Sequence, residues 1–258
     1  MLKFVKRLWN GDIEALPRRA RISIPTDRVS DIFAIGDIHG CLDLLLAAEQ
    51  RIFDRMVGST TPALVVCLGD YVDRGPDSRG VIEHLRIQMQ RPFYRISVCG
   101  NHDDLFFNFI RGERFDRGWL DRLGGISTLA SYGIDARHLL SLDPHGQRLK
   151  EAVATHVPDA HLAFLESLPV AVSIGNYLFV HAGIAPGRPL DDQTDAELMW
   201  MREPFLTEGP RLGLTVIHGH TPSASVQYGP DRIGIDTGAY ATGKLSVIHI
   251  GRHGVEEI

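Results

Sequence analysis

The chain has 258 residues, of which 44% are hydrophobic and 23% charged, with a formal net charge of −5. That length suits one large domain, or one domain carrying a modest insertion, able to bury roughly 70–75% of its unfolded surface without disulfide staples. The acidic balance, with a pI near 6.2, lacks the basic footprint of a nucleic-acid binder, and no stretch reaches the roughly 18 apolar residues of a membrane span.

Residues 1–27 read as an N-terminal arm ahead of a domain over 28–258. Lys3, Lys6, Arg7, Arg18, Arg19 and Arg21 make the arm basic, a pattern typical of a solvated tail. No sustained apolar run or small-residue cleavage site marks it as a signal peptide. The cysteines Cys41, Cys67 and Cys99 are odd in number, and the last two sit in apolar runs. They read as small buried residues rather than a disulfide framework, so a cytoplasmic location is expected.

Short apolar runs then alternate with helical patterns. Residues 32–35, 63–68 and 94–98 read as buried strands, and 42–56, 79–90 and 104–111 as helices. Pro92 lies just past the second helix, which it cannot continue. This alternation predicts an α/β fold with parallel strands in its first half. Residues 112–168 hold helical fragments broken by Gly and Pro, and read as an inserted, mostly helical cap. Strands are expected again at 170–174, 177–180, 214–217, 232–235 and 245–250, with a tight hairpin turn at Gly175 and Asn176. The expected architecture is two sheets, one partly parallel and one more antiparallel, with helices outside.

Polar residues follow each strand. GDIHG (36–40), GDYVDRG (69–75) and GNHD (100–103) come after the first three, and HAG (181–183) and HGHTP (218–222) after two later ones. Glycine permits a tight exit from a strand, and the strand C-terminal ends are where open α/β sheets bind ligands. Carboxylate, imidazole and amide donors suit divalent ions such as Mn, Fe or Zn. Taken singly, each of these residues is better explained by capping or packing. Asp43, Asp77 and Asp103 read as helix-start residues, and His218 as a structural neighbour of His220.

Five such motifs in this order resemble the metallophosphoesterase superfamily, and more narrowly the bacterial and phage lambda phosphatase-like branch of the phosphoprotein phosphatase (PPP) family. IDTGAY (235–240) extends the match. The resemblance implies a calcineurin-like fold: a two-sheet β-sandwich flanked by helices, with a small helical insert. It implies a dinuclear centre, with Mn expected and Fe, Zn, Ni or Co as alternatives. Asp37 and His39 would hold the first ion, Asp70 would bridge, and Asn101, His181 and His220 would hold the second. Two such ions about 3.5–4 Å apart can share a hydroxide that attacks phosphorus directly. His102 would be the general acid, oriented by Asp73. Arg74, Asn101 and Arg202 would bind the substrate phosphate. Segment 119–129 resembles one in bacterial PPP-like enzymes and is expected to wall the cleft.

The function this implies is a metal-dependent phosphoesterase acting on a phosphorylated protein or a small phosphoester. The Asp73 position favours a Ser/Thr protein phosphatase. The alternative is a diadenosine tetraphosphatase-like hydrolase of dinucleoside polyphosphates. A non-catalytic phosphate-binding protein would be expected to have lost a ligand, and none is missing. Neither nucleic-acid binding nor a membrane span is expected, and the sequence is silent on oligomeric state.

Overall fold

The structure is a computed structural model that describes residues 18–29, 31–59, 61–89, 93–112 and 116–258. The basic residues Lys3, Lys6 and Arg7, and Pro92, lie outside the described residues. Along the chain come β1 (Arg21–Ile24), β2 (Asp31–Ile35), α1 (Leu42–Arg55), β3 (Ala63–Cys67), α2 (Ser78–Leu85), β4 (Phe93–Ser97) and α3 (Asn101–Ile110). A π-helical turn at Trp119–Leu123 leads into α4 (Gly125–Ser131), α5 (Ala136–Leu142), α6 (Gln147–His156) and α7 (Asp159–Ser167). Then follow β5 (Ala171–Ile174), β6 (Tyr177–Val180), α8 (Asp195–Trp200), α9 (Phe205–Glu208) and β7 (Thr215–His218). The chain ends with β8 (Gln227–Gly229), β9 (Arg232–Gly234), α10 (Ala239–Thr242), β10 (Val247–Gly251) and β11 (Gly254–Glu257).

The strands form two sheets, ordered β11-β10-β2-β3-β4 and β1-β5-β6-β7-β9-β8. In the first, β2, β3 and β4 are parallel and β10 and β11 antiparallel. In the second, β1·β5, β6·β7 and β7·β9 are parallel while β5·β6 and β8·β9 are antiparallel. Both sheets are therefore mixed, which corrects the expectation that the second would be the more antiparallel. The β5–β6 hairpin turns on Gly175 and Asn176, as its spacing predicts, with Ile174 paired to Tyr177. Gly175 has φ 56, a value that glycine adopts without steric cost.

The pleat of β2 explains the layering. Ile32 and Ala34 face the second sheet, where they pack with Leu64, Val66, Val172, Phe179 and Ile217. Phe33 and Ile35 face the other way, onto Leu45, Ile52 and Val81 of the helices. A strand buried on both faces reads as a continuous apolar run rather than an alternating one, which is why 63–68 is legible as ALVVCL. A second apolar layer between facing sheets is the core of a sandwich.

Two local differences from the sequence reading have physical causes. Helix α2 ends at Leu85, not at residue 90, because the buried Arg95 guanidinium donates to the carbonyls of His84, Leu85 and Ile87 and so closes the helix end. Residues 21–24, expected in a solvated arm, instead form the parallel edge strand beside β5. Arg19 is held there by Asp104 and the carbonyls of Leu165 and Leu168, Arg21 by Asp195, and Arg18 reaches the carbonyl of Asp191. Among the described residues no helix is long and apolar enough to cross a membrane.

Candidate metal centre

Register brings the motifs together. Ile35 pairs with Cys67, and Cys67 with Ser97, so the turns that follow β2, β3 and β4 leave the sheet side by side. In the second sheet Phe179 pairs with Ile217, which aligns the exits of β6 and β7 on the same edge. The turns are then stitched together: His39 N–H donates to the Asp70 carbonyl at 2.7 Å, Gly40 N–H to that of Tyr71 at 2.9 Å, and Gly219 N–H to that of His181 at 2.8 Å. His39, Asp70, Asp73, Arg74 and His220 all have positive φ, a region where non-glycine residues carry strain of order 1 kcal/mol each.

The exits also need glycine for space. A Cβ on Gly100 would lie 2.2 Å from both the backbone nitrogen and Oδ1 of Asp70, and one on Gly69 would lie 2.6 Å from the backbone nitrogen of Gly100.

Asp70 stands at the middle. Its Oδ2 lies 3.5 Å from His39 Nε2 and 3.8 Å from His102 Nε2, while its Oδ1 lies 3.4 Å from His181 Nε2. Two donor groups result, His39–Asp70–His102 and Asp70–His181–His220, each with ligand atoms within 4.8 Å of one another. Asn101 Oδ1 joins the second, 2.9 Å from both His181 Nε2 and His220 Nδ1, which are themselves 3.2 Å apart.

The imidazoles are set up as acceptors. His39 Nδ1 lies 2.8 Å from the Val72 carbonyl and His181 Nδ1 2.8 Å from that of Leu68. A carbonyl only accepts, so each Nδ1 carries the proton and each Nε2 turns a lone pair inward. Burial pushes His39 down to about 3 against the opposing pull of Asp70. Burial and the neighbouring His181 push His220 down to about 2. Burial lowers His181 as well, with Asp70 opposing it. Burial alone would raise Asp70, but His181, His102, His39 and His220 hold it far below the usual carboxylate range. Neutral imidazoles and an ionised carboxylate with converging lone pairs are the protonation states that a divalent cation needs.

Asp37 sits beside these groups, buried, with its oxygens turned to the backbone N–H of His220 at 3.0 and 3.2 Å. Burial, then Asp236 and Asp70, raise its pKa well above the ordinary value. Asp236 is a site residue that the sequence reading left without a role, although it lies inside the IDTGAY match. It is buried, its own pKa is raised by burial and by Asp70, and its Oδ2 has no hydrogen-bond partner. An orphaned buried carboxylate oxygen beside two further carboxylates is what a cation would satisfy.

His102 lies at the rim of this cluster. Its backbone N–H donates to Asp70 Oδ1 at 3.0 Å, and its Nδ1 is 2.6 Å from Asp73 Oδ2. Burial would lower its pKa, but Asp70 and the Asp73 hydrogen bond outweigh that and raise it. The half-buried Arg74 guanidinium reaches His39 Nε2 at 2.9 Å and His102 Nε2 at 3.2 Å, with its carbon 4.8 Å from the centre of the Tyr240 ring. Arg202 is exposed, and its charge is among those that lower His220.

The residues expected at helix starts lie there, and two of them accept backbone N–H groups. Asp77 accepts from Gly80 N–H, and Asp103 from the N–H groups of Gly100 and Tyr71. Asp43 lies in the first turn of α1. His218 belongs to neither donor group; it packs edge-on against Phe205, and burial pushes it down to about 4.

Comparisons with known proteins agree with this geometry. The family model for calcineurin-like phosphoesterases matches residues 30–245. Serine/threonine-protein phosphatase 2 of Salmonella typhimurium is 28% identical over 236 residues, 88% of this chain and 96% of that protein. The asymmetrical bis(5'-nucleosyl)-tetraphosphatase PrpE of Oceanobacillus iheyensis is 24% identical over 233 residues, 82% of this chain and 85% of that protein. Among solved structures, the cold-active protein-tyrosine phosphatase of a psychrophilic Shewanella superposes with a TM-score of 0.63 at 15% identity, covering 96% of this chain and 84% of that one, a likeness of fold. The chain belongs to the calcineurin-like phosphoesterase family, and is a phosphoesterase whose family works with a pair of divalent metal ions.

Proposed function

We propose that the chain is a Ser/Thr phosphoprotein phosphatase that hydrolyses phosphomonoesters without a phosphoenzyme intermediate. Asp37, His39 and Asp70 would hold one divalent cation, and Asp70, Asn101, His181 and His220 the other, with manganese proposed and iron, zinc, nickel or cobalt accommodated by the same oxygen and nitrogen donors. When bound, such a pair lowers the pKa of water from about 15.7 toward 7 and withdraws charge from phosphoryl oxygens. Arg74, Arg202 and Asn101 would grip the phosphate, a task the guanidinium fork suits. His102 would protonate the departing oxygen, with Asp73 fixing its orientation. The helical stretch 112–168 would be an insertion into a domain spanning 28–258. Three buried free cysteines fit a reducing, cytoplasmic setting.

The observation that carries the substrate reading is the 2.6 Å contact between His102 Nδ1 and Asp73 Oδ2. A serine or threonine alkoxide is a strongly basic leaving group and needs a proton as it departs. A nucleotide released from a polyphosphate chain is a weak base and needs none. An imidazole held in one orientation, its pKa raised by Asp70 and Asp73 against the effect of burial, therefore favours the alkyl ester. The second reading, a dinucleoside polyphosphate hydrolase, is supported by the likeness to PrpE.

A phosphoserine peptide and diadenosine tetraphosphate, assayed side by side with manganese, separate the two. The peptide is expected to give a kcat/KM at least tenfold higher. The reverse order would overturn the phosphoprotein assignment.

A further inference from the structure

The carboxylate of Asp73 is fully buried and held from three sides. Its Oδ2 takes His102 Nδ1 at 2.6 Å and the indole N–H of Trp119 at 2.7 Å, and its Oδ1 accepts the Thr128 hydroxyl at 2.6 Å. Thr128 Oγ1 also accepts the backbone N–H of Asp73 at 2.8 Å, and Ser78 Oγ, 3.2 Å from that hydroxyl, accepts the same N–H at 3.1 Å. The loop is thus pinned at both backbone and side chain, at a residue with φ 74.

Neither Trp119 nor Thr128 comes from the loop or from the sheets. They belong to the helical stretch, 46 and 55 residues further along the chain. Both are buried. The Trp119 ring lies 5.7 Å from that of Phe106 and 4.8 Å from that of Phe109 on α3. A Cβ on Gly125 would lie 2.6 Å from the indole, and one on Gly124 2.4 Å from the backbone nitrogen of Arg74. The indole is therefore fixed on a rigid bed, and its single donor is spent on the carboxylate oxygen that faces His102.

Packing alone would not call for this arrangement. A phenylalanine at 119 would keep the aromatic bed, and a valine at 128 would keep the volume. What the N–H and O–H add is direction. With both donors in place the carboxylate cannot turn, so the lone pair aimed at His102 Nδ1 stays aimed. That fixes the proton on Nδ1 and the bearing of Nε2.

We propose that Trp119 and Thr128 are positioning residues, which hold Asp73 and through it aim His102 Nε2 at the departing oxygen. The proposal rests on the role assigned to His102. As the ester P–O bond breaks, its electron pair remains on the leaving oxygen, which takes the proton from His102 Nε2. A water oxygen forms the new bond to phosphorus, and the proton that water gives up restores His102.

The test compares Trp119→Phe and Thr128→Val with wild type on p-nitrophenyl phosphate, whose leaving group needs little protonation, and on phenyl phosphate, whose leaving group needs more. Metal content and Tm are measured on every variant, and Thr128→Ser is the conservative rescue. Loss of a general acid costs about 10²–10⁴-fold in rate, and misaiming it should cost part of that. With metals retained, kcat on phenyl phosphate is expected to fall at least tenfold further than on p-nitrophenyl phosphate, with KM little changed, and Thr128→Ser should restore most of the loss. Equal losses on the two esters, or none on phenyl phosphate, would overturn the proposal. His102→Asn in the same panel keeps the two ideas apart. If it discriminates between the esters while the Trp119 and Thr128 variants do not, only the positioning role fails. If His102→Asn itself shows no discrimination, the acid assignment fails and takes the proposal with it.

Discussion

The backbone N–H of His220 donates to the carboxylate of Asp37 at 3.0 and 3.2 Å, across a sequence separation of 183 residues. This contact ties the exit of β7 in one sheet to the exit of β2 in the other. It also leaves Asp37 in a small buried volume shared with the charge of Asp70 and Asp236. Removing cations should therefore destabilise the protein. Metal at a hundredfold excess over its Kd contributes about 2.7 kcal/mol, which for a chain of this size raises Tm by roughly 5–10 °C. Scanning calorimetry with manganese and with chelator is expected to show that gap, and Asp70→Asn to abolish it. Identical melting curves with and without metal would contradict the reading of these carboxylates.

His102→Asn should keep its metals and lose about 10²–10⁴-fold in kcat on a phosphoserine peptide. Elemental analysis checks the first half and steady-state kinetics the second. A variant that lost its metals would place His102 among the ligands, in keeping with its membership of the donor group with His39 and Asp70.

Gly100→Ala should disable the centre without touching a donor. Its Cβ would fall 2.2 Å from Asp70 Oδ1 and from the Asp70 backbone nitrogen, so Asp70 must shift. The expected cost is about 1–3 kcal/mol of stability, with metal loading and activity lost together. Gly58→Ala is the control, since its Cβ meets nothing within 4 Å and only its φ of 85 is strained. Full activity in Gly100→Ala would mean that Asp70 tolerates displacement.

Stability should fall on mild acidification partly through His161. This buried imidazole joins the Tyr132 hydroxyl at 2.8 Å to Glu83 at 2.9 Å, and so couples α7 to α2. Burial lowers its pKa below 6.5, against the opposing hydrogen bond from Glu83. Below pH 6.5 the unfolded chain takes up a proton that the folded state resists, so stability is present above that pH and is lost as pH drops toward the folded pKa. The buried His39, His181, His218 and His220 act with the same sign. The diagnostic is therefore the difference: Tm should fall less between pH 7.5 and 5.5 in His161→Gln than in wild type. Parallel curves would remove His161 from the account.

The strands that carry the centre are legible in the sequence because they are short apolar runs, buried on both faces in β3, and because each runs into a donor, with a glycine just ahead of it except after β6, where His181 follows Val180 directly. The edge strands β1, β8 and β11 are not. Their burial is partial, as in Gln227–Gly229 and Gly254–Glu257, and β1 is defined only by its pairing with β5, about 150 residues away. The same distinction runs through the site. His39, Asp70 and His181 announce themselves in motifs. The support that Trp119 and Thr128 give Asp73 depends on a tertiary contact between a helical stretch and a loop, and sequence spacing carries no trace of it. Asp236 is visible in IDTGAY, but its closeness to Asp37 depends on the exit of β9 in one sheet lying against that of β2 in the other, where a Cβ on Gly36 would lie 2.4 Å from the Ile235 carbonyl oxygen.

Five residues at this centre, His39, Asp70, Asp73, Arg74 and His220, hold left-handed backbone torsions. Side chains alone therefore do not encode the socket. Transplanting the same donor side chains onto strands that end in ordinary extended conformation would aim them elsewhere, and a designer copying the centre would have to copy its turns first.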